Sequence, residues 1–498
     1  MIRQRLCVVL ALLAGLRASS ADSEQQAALE YLESHRQRFD QDLIELTAIP
    51  SVSALPSHAQ DVLRAAEWLK ARLQLAGLEN IQVLPTEGPR PVVYADYLHA
   101  PGAPTALIYA HYDVQPADPY ELWESPPFEP VVRDGAFWGR GVDDDKGGLL
   151  PTLQALEAIL KSGGRLGINV KLMYEGEEEV GSPFLEPFLE KHKGLLGCDY
   201  VLSADGGQVA EGQPGLTLGL RGAVALEVEV KALASDVHSG MVGGAVQNPA
   251  RALAQLLATL HAPNGSVAVQ GFYDKVQPIT DADRDDMLAY NYDEQAALVN
   301  GLGAVEPWGE EGYSTLERIW LRPTLEVVGM AGGFAGDGIK TIIPASARSK
   351  LAARLVPAQQ PQDILELVEA HIRQHHPPAC NVTITELGFK GGPFVASRSS
   401  PPMTAAAKVL QEEMGAAPLF VRGGATIPAL ALFRKALGVD TTVFGFGLPD
   451  QNVHAPNERH RLSMYHLSQR AYVKLLLELG KGGQPAGSTG SDQGREEL

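Results

Sequence analysis

Five short segments rich in histidine, aspartate and glutamate lie where predicted strands end or a predicted helix begins, and they constrain the fold most. Short apolar runs, typical of buried strands, alternate along the chain with segments of helical periodicity, and this order predicts an α/β arrangement. In open α/β sheets, ligands bind in the crevice at the carboxyl ends of the strands. The five segments are therefore predicted to form one site. They are AHYDV (110–114), GRGVDDDKGG (139–148), EGEEEVGS (175–182), LSADGG (202–207) and GLPDQNVHAPNE (447–458).

The segment EGEEEVGS shows why such a site needs a positive partner. Its four glutamates follow the apolar run GINVKLMY (167–174). Burying carboxylates together is costly unless cations compensate their charge. Imidazole and carboxylate groups are ligands that suit zinc. Each segment alone is more simply explained as a solvated loop or a helix N-terminus. Their coincidence at strand ends is what favours a metal site.

The sequence pattern changes near residue 215 and changes back near residue 391. The run LTLGLRGAVALEVEVKAL (216–233) alternates like one strand with an exposed face, and a helical pattern follows. This order is typical of an α+β domain. We therefore predict an α/β domain with a mostly parallel central sheet, formed by residues 22–214 and 392–481, and an α+β domain inserted into it at 215–391. The Gly/Ser/Gln-rich residues 482–498 are predicted to be a disordered tail.

The N-terminus is predicted to be a signal peptide covering residues 1–21. Arg3 and Arg5 precede the apolar run LCVVLALLAGL, which is too short to span a bilayer. Small residues at Ser19 and Ala21 offer a cleavage site. These features predict a secreted or extracytoplasmic protein. The alternatives are a buried or frayed N-terminal helix and a cytoplasmic protein.

Charge and cysteine content exclude several other classes. The chain has 41 Lys+Arg against 60 Asp+Glu, and its net charge of −19 disfavours nucleic acid and anionic membranes as partners. No segment after the N-terminus has the length and apolarity of a membrane helix. Loss of the signal peptide would leave Cys198 and Cys380, whose pairing the sequence does not decide. No disulfide framework is therefore predicted.

The motifs of the chain, taken together and in order, resemble a known family. AHYDVQP, LWESPPFEP, GRGVDDDKGG, EGEEEVGS, SDVHSGMVGG and PDQNVHAPNE are similar to the co-catalytic di-zinc metallopeptidases that include aminoacylase, the glutamate-releasing carboxypeptidases and carnosinase. LWESPPFEP, GFAGDGIKT and ARLVP look most like the carnosinase and cytosolic non-specific dipeptidase branch. The resemblance covers nearly the whole mature chain. It implies a di-metal exopeptidase whose inserted domain serves as a lid and dimerisation domain.

The resemblance implies two divalent metal ions per subunit, with zinc expected and manganese as the alternative. His111 and Asp205 would bind one ion, and Glu179 and His454 would bind the other. Asp144 would bridge the two ions. These five side chains come from the five segments described above.

Further carboxylates complete the implied chemistry. Glu178 matches the general base, which would take a proton from a metal-bridging water and pass it to the leaving amine. Asp113 matches the carboxylate that orients a metal-binding histidine through its other ring nitrogen. Adjacent residues of an extended segment point to opposite sides, so Glu178 and Glu179 would need a local bend to enter one cleft. The Asp144–Asp145 peptide matches a cis peptide of the family.

The resemblance also implies residues that bind the substrate. His238 in SDVHSG matches a histidine that stabilises the tetrahedral oxyanion in the neighbouring subunit, which implies a homodimer. Arg354 in ARLVP and Thr341 in IKTIIP match residues that hold the free C-terminal carboxylate of the substrate, for which a guanidinium fork is suited. Arg422 and Thr426 in VRGGATIP match a further substrate loop, two of whose residues depart from the family pattern.

These expectations describe a metallo-dipeptidase that hydrolyses dipeptides with a free C-terminal carboxylate, through a metal-bridging hydroxide and a glutamate base. The first alternative is another amide hydrolase of the same family, an N-acyl-amino-acid deacylase or a carboxypeptidase. The second is a non-catalytic peptide- or metal-binding relative, which loss of a ligand or of the base would indicate. The inserted domain is roughly 175 residues long by the boundaries above, which exceeds a minimal lid and favours the dipeptidase branch.

Overall fold

A computed structural model describes residues 22–481 of the chain. The predicted signal peptide, 1–21, and the predicted tail, 482–498, lie outside the described residues. No helix between residues 22 and 481 has the length and apolarity needed to cross a membrane.

The described strands belong to five sheets. In chain order they are β1 (Glu79–Leu84), β2 (Val92–Tyr97), β3 (Thr105–His111), β4 (Val131–Arg133), β5 (Ala136–Trp138), β6 (Asn169–Glu175), β7 (Tyr200–Ser203), β8 (Gly215–Leu220), β9 (Gly222–Lys231), β10 (Val237–His238), β11 (Thr324–Gly332), β12 (Ile342–Ile343), β13 (Ser346–Leu355), β14 (Asn381–Gly391), β15 (Phe394–Val395), β16 (Leu419–Gly423), β17 (Thr441–Val443) and β18 (Arg459–Arg461).

Helices connect and cover these strands. In chain order they are α1 (22–34), α2 (Arg36–Thr47), α3 (Ala59–Ala76), α4 (Lys146–Lys161), α5 (Leu185–Lys191), α6 (Lys193–Leu196), α7 (Ser239–Val242), α8 (Pro249–Ala258), α9 (Asp281–Tyr290), α10 (Thr315–Trp320), α11 (Pro361–Gln374), α12 (Pro401–Met414), α13 (Pro428–Leu437) and α14 (Leu462–Lys481). Short 3₁₀ turns occur at Pro56–His58, Tyr120–Leu122 and Glu178–Val180, and a π-helical turn at Gln295–Gly301.

The six-stranded sheet forms the frame of the α/β part and has the order β1-β2-β6-β3-β7-β17. The pairs β6–β3, β3–β7 and β7–β17 are parallel, whereas the pairs β1–β2 and β2–β6 are antiparallel. Strands β3 and β6 are buried along almost their whole length, as parallel strands covered on both faces are. The predicted α/β class with a mostly parallel central sheet is confirmed.

A second sheet lies between residues 222 and 391 and has a core of its own. Its order is β11-β13-β9-β14, and all its pairs are antiparallel. Burial alternates along β13, and α8 and α11 contribute Leu253 and Val368 to the hydrophobic cluster that also contains Val228 and Leu351. The role of residues 215–391 as one inserted lid and dimerisation domain stays a prediction.

The single strand predicted over 216–233 is wrong, because the structure has two strands there in different sheets. Strand β8 pairs with β15 and β16, and its Leu216 and Leu218 pack in the core of the α/β part. Strand β9 begins one residue after Arg221, whose backbone N–H donates to Gly423 O. Both strands keep the same apolar alternation, so the pattern does not mark the change of sheet.

Candidate metal centre

The parallel strands of the large sheet place the five predicted metal ligands at one edge. His111 is the last residue of β3, and Asp205 lies two residues after β7. Glu179 lies in the 3₁₀ turn that follows β6, and His454 in the segment between β17 and β18. Asp144 precedes α4 by two residues. Because the carboxyl ends of parallel strands meet at the same edge, these side chains converge.

The ligand atoms form two groups that share one aspartate. His111, Asp144 and Asp205 form the first group, and Asp144, Glu179 and His454 form the second, with the atoms of each group within 4.8 Å of one another. Asp144 Oδ1 lies 3.0 Å from His111 Nε2, while Asp144 Oδ2 lies 2.8 Å from His454 Nε2. Each carboxylate oxygen of Asp144 therefore faces a different histidine, which is the geometry of a bridging ligand.

The charges of this cluster fit a pair of divalent cations. Burial raises the pKa of Asp205 to about 7 and also raises the pKa of Glu179. Hydrogen bonds to Asp144 and Glu179 raise the pKa of His454 to about 10. Among the described residues that make up the two ligand groups, the imidazoles of His111 and His454 are the ones that can carry a positive charge. Two divalent ions would compensate the three carboxylates without protonating either histidine, because neutral imidazole and carboxylate are good ligands.

Asp113 and Glu178 also lie in this cluster. The buried Asp113 accepts hydrogen bonds from the backbone N–H groups of Glu178, at 3.2 Å, and Glu179, at 3.1 Å. His111 Nδ1 lies 3.1 Å from the backbone oxygen of Asp113 and 3.5 Å from its Oδ1. Asp113 therefore joins the strand end that carries His111 to the turn that carries both glutamates. The role of Asp113 in orienting His111 stays a prediction.

The segment around Glu178 is bent rather than extended. Glu178–Val180 form a 3₁₀ turn that ends at Gly181, whose φ of 87° is in the left-handed region that favours glycine. This turn is the bend that brings adjacent glutamates into one cleft. Burial raises the pKa of Glu178 well above its usual range. The Asp144–Asp145 peptide is cis, as the family resemblance implies.

The other two glutamates of this segment have separate partners. Glu175 is buried at the end of β6 and accepts a hydrogen bond from the Tyr109 hydroxyl at 2.9 Å. Burial raises the pKa of Glu175 to about 8. Glu177 is buried beside Arg90, with 3.6 Å between Glu177 Oε1 and Arg90 Nη1. Neither glutamate belongs to the two ligand groups.

Gln115 is a further residue of the site that sequence reasoning missed. Its Nε2 donates to Glu179 Oε2 at 2.9 Å and to the backbone oxygen of Glu179 at 3.1 Å. Gln115 follows Asp113 by two residues, so both side chains of the segment after β3 hold the turn after β6. Its place in AHYDVQP, beside two predicted site residues, is the signal that could have indicated this role.

The predicted substrate residues are distributed over three places. Arg354 Nη1 donates to Thr426 Oγ1 at 2.9 Å, so these two lie together. Arg422 instead pairs with Asp283 of α9 at 2.9 Å. His238 is exposed, and the adjacent Ser239 N–H donates to the backbone oxygen of Thr341. Within residues 22–481, no hydrogen bond or ion pair joins His238 to the metal-ligand groups.

A second arginine lies beside Arg354 and was also missed. Burial, with the charge of Arg354, lowers the pKa of Arg221 to about 10. The backbone oxygen of Arg221 accepts a hydrogen bond from Thr426 Oγ1 at 2.6 Å. Arg221, Arg354 and Thr426 therefore form a basic cluster that suits an anionic group.

A mostly parallel sheet whose strand ends carry two histidine–carboxylate groups around one shared aspartate suits a metal-dependent hydrolase with a dinuclear site. Residues 107–478 match the model of Peptidase family M20/M25/M40. The chain belongs to this peptidase family, which confirms the resemblance to the co-catalytic metallopeptidases.

The relatives that match nearly the whole chain include two named dipeptidases and a metallo-carboxypeptidase. The Cys-Gly metallodipeptidase of Candida albicans is 31% identical over 458 residues, covering 88% of this chain and 94% of that protein. The human Beta-Ala-His dipeptidase is 29% identical over 496 residues, covering 96% of this chain and 97% of that protein. The M20 family metallo-carboxypeptidase Sso-CP2 from Sulfolobus solfataricus has a TM-score of 0.82 at 32% identity, covering 89% of this chain and 99% of that one. The predicted place beside the carnosinase branch is confirmed.

Proposed function

We propose that this chain is a metallo-dipeptidase that hydrolyses the peptide bond of dipeptides with a free C-terminal carboxylate. One observation carries the proposal: the two oxygens of Asp144 face His111 and His454, at 3.0 and 2.8 Å, within two groups of metal-ligand atoms. Two of the relatives named above are dipeptidases, and this chain matches each of them over most of its length. The expected metal is zinc, with manganese as the alternative.

The ligands of the two ions are proposed as follows from the two groups. His111 and Asp205 would hold one ion, Glu179 and His454 would hold the other, and Asp144 would contribute to both sites. When bound, two divalent ions would polarise the scissile carbonyl and lower the pKa of the attacking water. Asp113 and Gln115 keep the turn with Glu178 and Glu179 at this edge of the sheet, through the hydrogen bonds described above.

Glu178 is proposed as the general base. Its backbone is fixed by Asp113, and it lies in the cluster without belonging to either ligand group. Its side chain therefore remains available to accept the proton of the attacking water at a carboxylate oxygen. The same oxygen would deliver the proton to the leaving amine. Burial raises the pKa of Glu178, which favours the first step, the uptake of the proton.

The substrate carboxylate is proposed to bind at the basic cluster of Arg221, Arg354 and Thr426. Two close arginines repel each other, and a carboxylate between them would relieve that repulsion through charge-assisted hydrogen bonds. Thr341 and Arg422 are proposed to assist. Arg422 is paired with Asp283, so it must leave that partner to contact a substrate.

A carboxypeptidase is the second candidate function, because Sso-CP2 shares the fold at 32% identity. One panel separates the candidates: the zinc- and manganese-loaded chain is assayed against dipeptides, blocked longer peptides and N-acyl-amino acids. The proposal predicts that dipeptides give the highest kcat/KM. Preference for blocked longer peptides would establish the carboxypeptidase, and preference for N-acyl-amino acids a deacylase. No hydrolysis by a chain that binds two metals would indicate a non-catalytic relative.

A homodimer through residues 215–391 is proposed as well. Strand β11 is an edge strand of its sheet, and its Val327, Val328 and Met330 are exposed. An exposed apolar edge strand is a surface suited to pairing with a second copy. His238 would then act at the active site of the partner. Mixing His238→Ala chains with Glu178→Gln chains should restore some active sites, and the absence of rescue would refute action across subunits.

Secretion is proposed from the sequence of residues 1–21 alone. Expression of the full chain in a eukaryotic secretory host should give a product in the medium whose N-terminus lies near residue 22. Retention of residues 1–21 in a product found in the cytoplasm would refute the proposal and support the cytoplasmic alternative.

A further inference from the structure

A fully buried carboxylate lies behind the metal centre and takes no part in the reaction described above. Glu458 has 0% exposure and follows His454 by four residues. Its Oε2 accepts hydrogen bonds from Arg140 Nη1 at 2.8 Å and from Gly141 N at 2.9 Å. Its Oε1 accepts from Asp143 N at 3.0 Å and from Asp144 N at 3.2 Å. All four donors therefore belong to the segment 140–144, which ends at the shared aspartate.

The partner arginine connects Glu458 to two more parts of the site. Arg140 is also buried, with 1% exposure. Its Nη2 approaches the backbone oxygens of Pro116 at 3.3 Å and of Ala455 at 3.4 Å. Pro116 follows the segment that carries His111, and Ala455 is the neighbour of His454. The Arg140–Glu458 pair thus contacts the three segments that carry His111, Asp144 and His454.

We propose that Glu458 is a positioning residue that fixes the bridging aspartate, Asp144, between the two metal ions. This inference rests on the proposed dinuclear function. A carboxylate accepts hydrogen bonds at both oxygens, and Glu458 uses both to hold the backbone on the N-terminal side of the Asp144 carboxylate. Asp144 belongs to both ligand groups, so a small rotation of its backbone would weaken both proposed metal sites together.

A merely structural role would have a different signature. A buried ion pair is weak evidence for stability, although removing one partner destabilises a protein. If Glu458 only stabilised the fold, its loss would lower the unfolding temperature without changing metal affinity in the folded molecules. If it positions Asp144, metal affinity falls by itself, and outer partners of metal ligands typically contribute about 10–100-fold.

The test is the substitution Glu458→Gln in the full chain. Glutamine keeps the size but offers only one accepting oxygen, so its amide group faces two N–H donors and one pair of hydrogen bonds is lost. Glu157→Gln is the matched control. Glu157 is a buried carboxylate of α4 that lies 3.5 Å from Arg72 and also pairs with Arg38, and it has no contact with the segment 140–144 among its hydrogen bonds and ion pairs within residues 22–481.

Zinc affinity is measured by competition with a chromophoric chelator, and the unfolding temperature of the metal-free chain is measured in parallel. We expect Glu458→Gln to lose about 10–100-fold in zinc affinity. Glu157→Gln should keep the parent affinity while its unfolding temperature falls. Parent-like affinity in Glu458→Gln would overturn the inference. If that variant does not fold, Glu458→Asp, which keeps the charge but shortens the reach, is judged by the same two outcomes.

The outcome for the parent chain separates this inference from the proposed function. A parent that binds fewer than two zinc ions, or that hydrolyses no dipeptide, refutes the dinuclear dipeptidase itself. A parent that binds two ions and is active, together with unchanged affinity in the Glu458 variants, refutes only the positioning role.

Discussion

Replacing Glu178 with glutamine should separate catalysis from metal binding. Glutamine has the same shape but cannot accept the proton of the attacking water. General acid–base groups contribute about 10²–10⁴-fold to rate, which corresponds to about 3–5 kcal/mol of activation free energy. Glu178 belongs to neither group of metal ligands. We therefore expect kcat to fall by that factor while both metal ions stay bound.

The structure predicts a second, opposite effect of the same change on stability. Glu178 is crowded by the carboxylates of Glu179, Asp205 and Asp144, and burial raises its pKa well above its usual range. The pKa of this group is lower in the unfolded chain, so ionising Glu178 at pH 7 destabilises the folded, metal-free protein. Neutral glutamine removes that destabilisation. The metal-free variant should therefore be at least as stable as the parent.

The assay combines initial rates of dipeptide hydrolysis, metal content by mass spectrometry and chemical unfolding in chelator. Glu177→Gln is the matched control, because Glu177 is a buried neighbour that pairs with Arg90 instead. It should keep most of its turnover. Turnover of Glu178→Gln within about tenfold of the parent, with two ions bound, would refute the role of Glu178 as base. If Glu178→Gln loses metal, Glu178 is itself a metal ligand, which would contradict its placement outside the two ligand groups.

Three further outcomes are expected. Chelation should abolish activity and lower the unfolding temperature, because ions that bind only the folded chain stabilise it; activity assays and thermal unfolding before and after zinc is restored check this. Burial raises the pKa of Asp42 to about 6 despite its pair with Arg72. The protonated Asp42 therefore stabilises the fold below pH ~4, and this contribution is lost as pH rises through 6. In chelator, the free energy of unfolding of Asp42→Asn should increase relative to that of the parent by up to ~3 kcal/mol between pH 4 and 7. A difference between the two proteins that does not change with pH in urea unfolding would contradict this. Cys198 and Cys380 are free, and burial raises the pKa of Cys198 to about 12. Iodoacetamide at pH 8 should therefore leave Cys198 unmodified until the chain is unfolded, as peptide mass mapping would show.

Local pattern predicted the parts of the site that lie in sequence motifs, but not the contacts between them. The segments of His111, Glu179 and His454 were identified because apolar runs precede them and the motifs resemble a family. Glu458 lies 314 residues from Asp144, so only the fold reveals that it holds that backbone. Arg221 was missed because its partner Arg354 is brought to it by the pairing of β9 with β13.

Two helices begin with a local sequence signal that predicts a helix start. Helices α9 and α10 lie between residues 281 and 320, where the apolar periodicity of the sequence is weak. Both begin with a capping box: Thr280 with Asp283, and Ser314 with Glu317, each exchange side-chain and backbone hydrogen bonds. A Ser or Thr followed three residues later by an acidic residue marks a helix start even where the apolar pattern is weak. The break between β8 and β9, by contrast, has no such local sequence signal, because the apolar alternation continues through it.

The four glutamates of EGEEEVGS are divided by backbone geometry rather than by charge. Glu175 ends a strand and points to Tyr109, and the buried Glu177 meets Arg90. The 3₁₀ turn then directs Glu178 and Glu179 to the metal cluster. Glu175 and Glu177 thus have partners away from the ligand groups. Glu178 and Glu179 instead share the cluster with the acidic Asp144, although Gln115 and His454 also contact Glu179. Under the proposed function, two bound metal ions would compensate the negative charge of this second pair and its acidic neighbours.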